Sequence, residues 1–259
     1  MSIVKKHWQE IRYTFNLSLS LAKADFKLKN EGSYLGIIWY LLNPILTFAL
    51  LFLVFNDRLG QNISNYPLYL LFGIVMFNFF QNCTYESVRI IRESRWIIKS
   101  INFPIESLIL GIILKNLFSH FFELIVVVAV MLFFHANFIG VIFYPIILLF
   151  FMVFIFGVSL ILSSLTAYFN DIENVWNFGV RLLWLGTPIF YAIEGQTRLF
   201  YLNLFNPMYY FITITRDFVI YSRISDVWLL LAGFFYSLFI MSLGFLLFRK
   251  LKTKISEKI

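Results

Sequence analysis

The chain has 259 residues, of which 60% are hydrophobic and 14% charged, and its mean hydropathy is +0.81. This composition lies outside the range of soluble globular proteins and predicts an integral membrane protein. The net charge of +7 does not indicate a nucleic-acid partner, because the basic residues flank apolar segments instead of covering one soluble face. The single cysteine, Cys83, excludes an internal disulfide and any cysteine-rich metal site.

Residues 1–33 predict a cytoplasmic amphipathic interface helix. Apolar side chains recur at helical spacing at Trp8, Ile11, Phe15, Leu19, Ala22 and Phe26, and a second patch is formed by Leu17, Leu21 and Leu28. One patch suits lipid headgroups and the other suits packing on protein, although a simple surface anchor explains the same pattern. The segment is too polar for a cleavable signal peptide, so we expect the first span to direct insertion.

The polar helix gives way to the first apolar segment between residues 21 and 44. Basic and aromatic residues there suit anionic headgroups and the membrane interface, namely Lys23, Lys27, Lys29, Tyr34 and Trp39. Asn43-Pro44 falls inside the apolar segment, where a bundled membrane helix can satisfy the carbonyl that proline leaves free.

Six segments are long and apolar enough to cross a bilayer, which requires ~20 residues. They cover about 36–56, 66–85, 105–134, 141–166, 175–193 and 228–248. Most of the 21 Lys and Arg residues lie in the N-terminal segment, the 86–104 loop and the tail, which places both termini in the cytoplasm. We therefore predict an all-α fold with a six-span permease domain at 34–250 and a basic cytoplasmic tail at 251–259.

No catalytic motif is present in the sequence. It contains no Walker-type GxxxxGK[ST] run, no HExxH motif and no Ser nucleophile elbow, and His7, His120 and His135 are isolated. We therefore expect a chain that is not an enzyme and that has no metal site or cofactor of its own.

The loop at 86–104 combines basic and large apolar residues in a helical pattern. Its candidate contact residues are Arg89, Arg92, Arg95, Trp96 and Lys99. A cytoplasmic loop needs only the basic residues to satisfy the positive-inside rule. Trp96 and several isoleucines beside these charges are, in addition, typical of a helix that docks into another protein. Docking is the favoured hypothesis, and an interfacial helix without a partner is the alternative.

Ionisable side chains also interrupt the third span. Lys115, His120 and Glu123 lie at membrane depth or near its edge, where charges are costly and usually face the bundle interior or a water-filled path. With Arg181 and Trp184 of the fifth span they form a set of possible pathway residues. Snorkelling, a structural contact with another helix and a proton relay are the alternatives.

Residues 194–227 are too polar to cross the bilayer and long for an external loop. Asn206-Pro207 and the run after it predict a short helix pair that dips into the outer leaflet, which is stable only against protein or a water-filled cavity. Tyr201, Tyr209 and Tyr210 suit stacking on sugar rings or interface anchoring. The candidate external gate residues are Tyr191, Asn206, Pro207, Tyr209, Tyr210, Arg216 and Asp217.

Five stretches, in order along the chain, resemble the membrane subunit of type-2 ABC exporters for polysaccharides such as O-antigen, capsule and teichoic acid. They are DFKLKNEGSYLGIIWYLLNP at 25–44, INFPIE at 101–106, AYFNDIENV at 167–175, TPIFY at 187–191 and NPMYYFITITRD at 206–217. Asn170 departs from this pattern, because the family often has Arg there.

The resemblance implies a homodimer of six-span subunits bound to two copies of a separate P-loop ATPase subunit, which binds ATP and Mg. The 86–104 loop would be the ATPase-coupling helix, and the 194–227 segment would form re-entrant external gate helices between spans five and six. The implied substrate is a glycan on an undecaprenyl-type diphosphate lipid, and the implied location is the bacterial cytoplasmic (inner) membrane.

Three other functions remain open at this point. An ABC exporter of a lipid or small molecule would differ in the compound that accumulates in a deletion strain. A membrane-embedded enzyme of glycan assembly would be active as the purified chain alone. A secondary transporter would need only an ion gradient, but it usually has more spans and an internal repeat, which this sequence lacks.

Overall fold

The structure is a computed structural model that describes residues 3–31, 36–100, 103–169, 171–193 and 196–258. Within these ranges the chain is helical and has no strand, which confirms the predicted all-α class. The α-helices are α1 (Ile3–Asn30), α2 (Ile38–Leu59), α3 (Tyr66–Glu93), α4 (Arg95–Ser100), α5 (Glu106–Phe133), α6 (Tyr144–Thr166), α7 (Ile172–Gly186), α8 (Thr197–Asn203), α9 (Pro207–Val219) and α10 (Val227–Lys258). Short 3-10 helices precede α3 and α6, at Gly60–Asn62 and Ile139–Phe143.

Four stretches of the described chain are long and apolar enough to cross a bilayer. They contain α2, α5, α6 and α10 and cover Ile38–Asn62, Glu106–Phe133, Ile139–Thr166 and Val227–Leu251. The chain is therefore a multi-pass membrane protein. Each stretch exceeds the ~20 residues that a 30 Å hydrocarbon core requires.

The other two predicted spans correspond to α3 and α7, and each has a physical reason for falling outside this set. α3 packs against α2, α5, α6, α7 and α9, so it needs less apolarity than a helix that faces lipid. α7 has only 15 residues because Thr187 is extended before Pro188, whereas we predicted a span over 175–193. The six-span count stays a prediction.

The core is built along α3. Phe77, Phe79 and Phe80 of this helix are fully buried, as are Phe151 of α6 and Phe211 of α9. Their rings are large and rigid, so their contacts fix the distance between the helices that they join. α3 is therefore the axis against which α7 and α9 are positioned.

α6 and α10 lie in backbone contact. A Cβ atom on Gly157 would lie 2.6 Å from the backbone of Ile240, and one on Gly244 would lie 2.4 Å from the carbonyl oxygen of Gly157. Small residues at such a crossing allow the close approach that stabilises helix pairs in membranes.

α1 packs along α5 through one face only. Ser18 and Ala22 are fully buried, and a Cβ atom on Gly111 of α5 would lie 3.4 Å from the Ser18 carbonyl oxygen. Trp8 and Ile11, nearer the start of the helix, are exposed. The helix therefore packs on α5 through its middle turns, and the described part of the chain leaves the apolar side chains near its start uncovered.

Candidate functional site

Arg216 lies at the centre of a polar cluster between α3, α9 and the segment after α7. It is only 3% exposed, and its guanidinium donates hydrogen bonds to the carbonyl oxygens of Tyr69, Pro188 and Ile189 at 2.7 to 3.1 Å. Because α7 ends before Pro188, the carbonyls that follow lack helical partners and need donors from elsewhere. Arg216 supplies those donors.

Two tyrosines and a glycine of α3 complete what we call the Arg216 cluster. The Tyr69 hydroxyl donates to the Tyr191 carbonyl at 2.8 Å, and the Tyr66 hydroxyl donates to the Phe190 carbonyl at 2.9 Å. The guanidinium carbon of Arg216 lies 3.3 Å from the centre of the Tyr69 ring. A Cβ atom at residue 73 would lie 2.6 Å from Nη2 of Arg216, so a larger residue there would displace the guanidinium from its hydrogen bonds.

Asp217, the next residue of α9, orders the loop between α9 and α10. Its carboxylate accepts hydrogen bonds from Nε of Arg223 at 2.8 Å and from the Ser225 hydroxyl at 2.7 Å. The hydrogen bond to Asp217 outweighs partial burial and raises the pKa of Arg223. Asp217 is therefore committed to a structural ion pair in this conformation.

Asn206 and Pro207 begin α9. The Asn206 side-chain oxygen accepts from the Met208 backbone N–H at 3.1 Å, and its amide donates to the Thr187 hydroxyl at 2.8 Å. Pro207 is the first helical residue, where its missing N–H costs nothing. The start of α9 is thus tied to the residue at which α7 stops.

The remaining predicted gate residues divide into two groups. Tyr191 donates to the Gly186 carbonyl at 2.7 Å, and Tyr210, which is buried, donates to the Leu204 carbonyl at 2.8 Å. Tyr209 instead lines a cavity of about 780 Å³ between α8, α9 and the first residues of α3 and α10. Aromatic and charged residues form much of its wall, including Phe200, Tyr209, Tyr221, Trp228, Asp217, Arg223 and Asp226.

A second cavity, of about 500 Å³, opens between α2, α3 and α7. It is lined by Asn43, Thr47, Asn78, Gln81, Tyr85, Val180, Arg181, Trp184 and Leu185. The structure thus brings Arg181 and Trp184, two of the five predicted pathway residues, to one polar wall. We call it the Arg181 cavity.

The other three predicted pathway residues lie in packed regions outside the lining of that cavity. Nζ of Lys115 lies 2.7 Å from a carboxylate oxygen of Glu86 on α3. His120 lies 3.2 Å from the Glu123 carboxylate and 2.6 Å from the Tyr144 hydroxyl. These side chains therefore join α5 to α3 and α6, as in the structural alternative considered above.

The predicted docking residues occupy two helices. Arg89 and Arg92 lie in the last two turns of α3 and both bind Glu173 in the first turn of α7, with 2.6 Å between Nε of Arg89 and the carboxylate. Desolvation opposes ionisation of Glu173, but the hydrogen bonds from Arg92 and Arg89 outweigh it and lower its pKa. These arginines thus link two helices of the same chain.

Arg95, Trp96 and Lys99 belong to α4, which directly follows α3 in the chain. The Trp96 side chain is 81% exposed, and Ile97 beside it is also exposed. A tryptophan and an isoleucine exposed together on a short basic helix are typical of a surface that another protein covers.

The predicted headgroup residues lie where α1 and α2 meet. Lys23 and Lys27 are exposed, Lys29 lies 3.6 Å from the Glu86 carboxylate, and Trp39 is half-exposed. Tyr34 lies outside the described residues.

Several residues of these sites escaped the sequence analysis, among them Tyr66, Tyr69, Gly73, Glu86 and Glu173. Only Glu173 had a usable signal, because it lies in the AYFNDIENV stretch that carries the resemblance.

Within the described ranges, no three or more His, Cys, Asp or Glu side chains gather in a way that could hold a metal ion.

Comparison with known proteins gives a consistent result. A family model described as ABC-2 type transporter matches residues 17–220. An O-antigen export system permease protein, RfbA, of Klebsiella pneumoniae is 28% identical and covers 99% of both chains. The RfbA permease of Myxococcus xanthus is 24% identical over 81% of this chain and 82% of its own. These relatives are named permeases, in agreement with the prediction of a permease subunit and not an enzyme.

Proposed function

Because the chain belongs to the ABC-2 type transporter family, we propose that it is the membrane subunit of an ATP-driven exporter of a lipid-diphosphate-linked polysaccharide. The family match over most of the chain carries this proposal, and the names of the curated relatives support an O-antigen-like substrate. The energy would come from two copies of a separate P-loop ATPase that binds ATP and Mg.

The proposed assembly is a homodimer of six-span subunits in the bacterial inner membrane, with both termini in the cytoplasm. α3 and α7 would add two spans to the four apolar ones, and the division at 1–33, 34–250 and 251–259 would separate interface helix, permease domain and tail. The surface of α2 supports a dimer contact, because Pro44 is its only buried residue and its exposed face is apolar.

We assign ATPase coupling to α4 and to the ion pairs behind it. Trp96 and Ile97 would enter the ATPase, with Arg95 and Lys99 beside them. Movement of α4 would then pass along α3 to α7 through Arg89, Arg92 and Glu173, since these side chains join the two helices directly.

We assign the external gate to α8 and α9. The Arg216 cluster would hold α9 against the end of α7, so that a movement of α7 displaces the gate helices. Tyr209 and Trp228 would offer ring faces to sugar residues that leave through the cavity they line.

The proposal is tested by deleting the gene and analysing lipid-linked glycans. We expect full-length glycan on its lipid carrier to accumulate at the cytoplasmic face and to disappear from the cell surface. A plasmid-borne copy of the gene should restore export. Accumulation of an unglycosylated lipid or a small molecule in its place would contradict the assigned substrate.

A further inference from the structure

The Arg181 cavity gathers hydrogen-bond donors at a depth where lipid would otherwise surround them. At 1.5 Å per residue, Asn43 and Thr47 lie roughly 8 and 14 Å from the first residue of α2. α2 belongs to a stretch long and apolar enough to span the bilayer. The cavity wall that contains these residues is therefore inside the membrane.

The polar side chains of this wall are not used by the protein itself. No hydrogen bond or ion pair within the described chain engages the side chains of Asn43, Asn78, Gln81 or Arg181. A charged group left at the bilayer centre is costly, and each unsatisfied amide adds to this cost. Such a group persists where it faces water or a ligand.

The charge of the cavity has one sign. Arg181 is its only ionisable lining residue that is charged at neutral pH, and no Asp or Glu belongs to the described lining. The nearest carboxylate along α3, Glu86, lies within ion-pair distance of Lys115 and Lys29. An arginine fork with neighbouring amides matches the oxygens of a phosphate ester.

We propose that the Arg181 cavity binds a phosphate or diphosphate group at membrane depth, with Arg181 as the charged contact and Asn78 and Gln81 as amide donors. This inference rests on the proposed function, since an exporter of a lipid-linked glycan must carry such a group past apolar helices. The same chemistry fits a lipid-borne diphosphate and a free one, so the test must separate them.

The test is native mass spectrometry of the full chain with its ATPase in detergent, titrated with geranylgeranyl diphosphate. We expect saturable binding that R181Q weakens at least about tenfold, as loss of a charge-assisted contact predicts. R181K should bind more tightly than R181Q, and N78A and Q81A should show smaller losses. The matched control is R198Q, because Arg198 is an exposed arginine of α8.

Competitors identify the source of the anion. Displacement by inorganic diphosphate at similar concentrations would support a free anion as the ligand, and displacement only by the lipid-borne form would support the carrier lipid. Displacement by uncharged geranylgeraniol, or equal binding by wild type, R181Q, N78A and Q81A, would overturn the proposal. Glycan export by a wild-type protein that binds no diphosphate would defeat this inference alone. Arg181-dependent binding in a protein that exports no glycan defeats the proposed function alone.

Discussion

Arg216 illustrates how one buried charge can replace missing helical hydrogen bonds. The backbone after α7 turns away at Pro188, and its carbonyl oxygens would be unsatisfied in a water-poor interior. The guanidinium satisfies three carbonyls from two segments because its donors are arranged in a rigid fork. A lysine has the charge but not this geometry.

The first prediction is therefore that R216K destabilises the protein although it conserves charge. Loss of hydrogen bonds to buried carbonyls should lower the free energy of unfolding by about 1.5–3 kcal/mol. Thermal unfolding in detergent measures this change. R198K at an exposed site of α8 is the control, and equal stability of R216K and wild type would contradict the role assigned to the cluster.

Glu173 is the residue through which two arginines of α3 reach α7. The second prediction is that E173Q reduces ATP-driven export while the ATPase still binds, because the proposed contact surface on α4 is unchanged. D171N, which removes a neighbouring carboxylate, should export normally. Loss of ATPase binding in E173Q would instead indicate that Arg89 and Arg92 contact the ATPase directly.

The third prediction concerns pH, because the stability that the Glu173 ion pairs with Arg89 and Arg92 contribute depends on it. The folded-state pKa of Glu173 is lowered, so its contribution to stability is complete above the ordinary Glu pKa of ~4.3 and is lost as pH falls through the lower folded value. Partly exposed ion pairs contribute about 1 kcal/mol or less. The stability difference between wild type and E173Q should therefore stay constant from about pH 8 to pH 5 and shrink below about pH 4.

At the scale of elements, α6 and α10 depend on glycines that allow backbone contact. The fourth prediction is that G244A lowers the yield of folded protein and its unfolding temperature, because a methyl group at 2.4 Å from a carbonyl oxygen forces the helices apart. G179A is the matched control, since nothing lies within 4 Å of the position that its Cβ would occupy. Equal stability of both variants would refute the close packing.

The helices themselves followed from local signals, whereas their contacts did not. Apolar periodicity predicted α1, and the length of apolar runs predicted α2, α5, α6 and α10. Pro188 also contained the signal that shortens α7, although we predicted a longer span. The contact of Arg216 with Tyr69 joins residues 147 positions apart, and no local pattern specifies such a pair.

The sequence identified individual residues of the candidate site by their type, but it did not identify the residues that they contact. Arg181 was identified because a charge within a span is unusual, yet Asn78 and Gln81 drew no attention until the fold placed them on the same cavity. Lys115 was identified on the same ground, and it proved to be joined to Glu86. Only the packing of the helices shows whether a charged side chain within a span has an ion-pair partner.

At the scale of the whole molecule, the two ends of α3 adjoin different groups of side chains. α4, with exposed Trp96 and Ile97, and the Glu173 ion pairs lie at one end of α3. The Arg216 cluster and the larger cavity lie at its other end. α3 and α7 connect these ends, so both are suited to carry a movement from an ATPase to a gate.

The most direct test of this account is affinity purification of the tagged protein in mild detergent, with identification of what accompanies it. We predict a P-loop ATPase in a one-to-one ratio, and we expect W96A to reduce that ratio while the permease stays folded. A protein that purifies alone, and that moves its substrate in liposomes without ATP, would contradict the assignment as an exporter subunit.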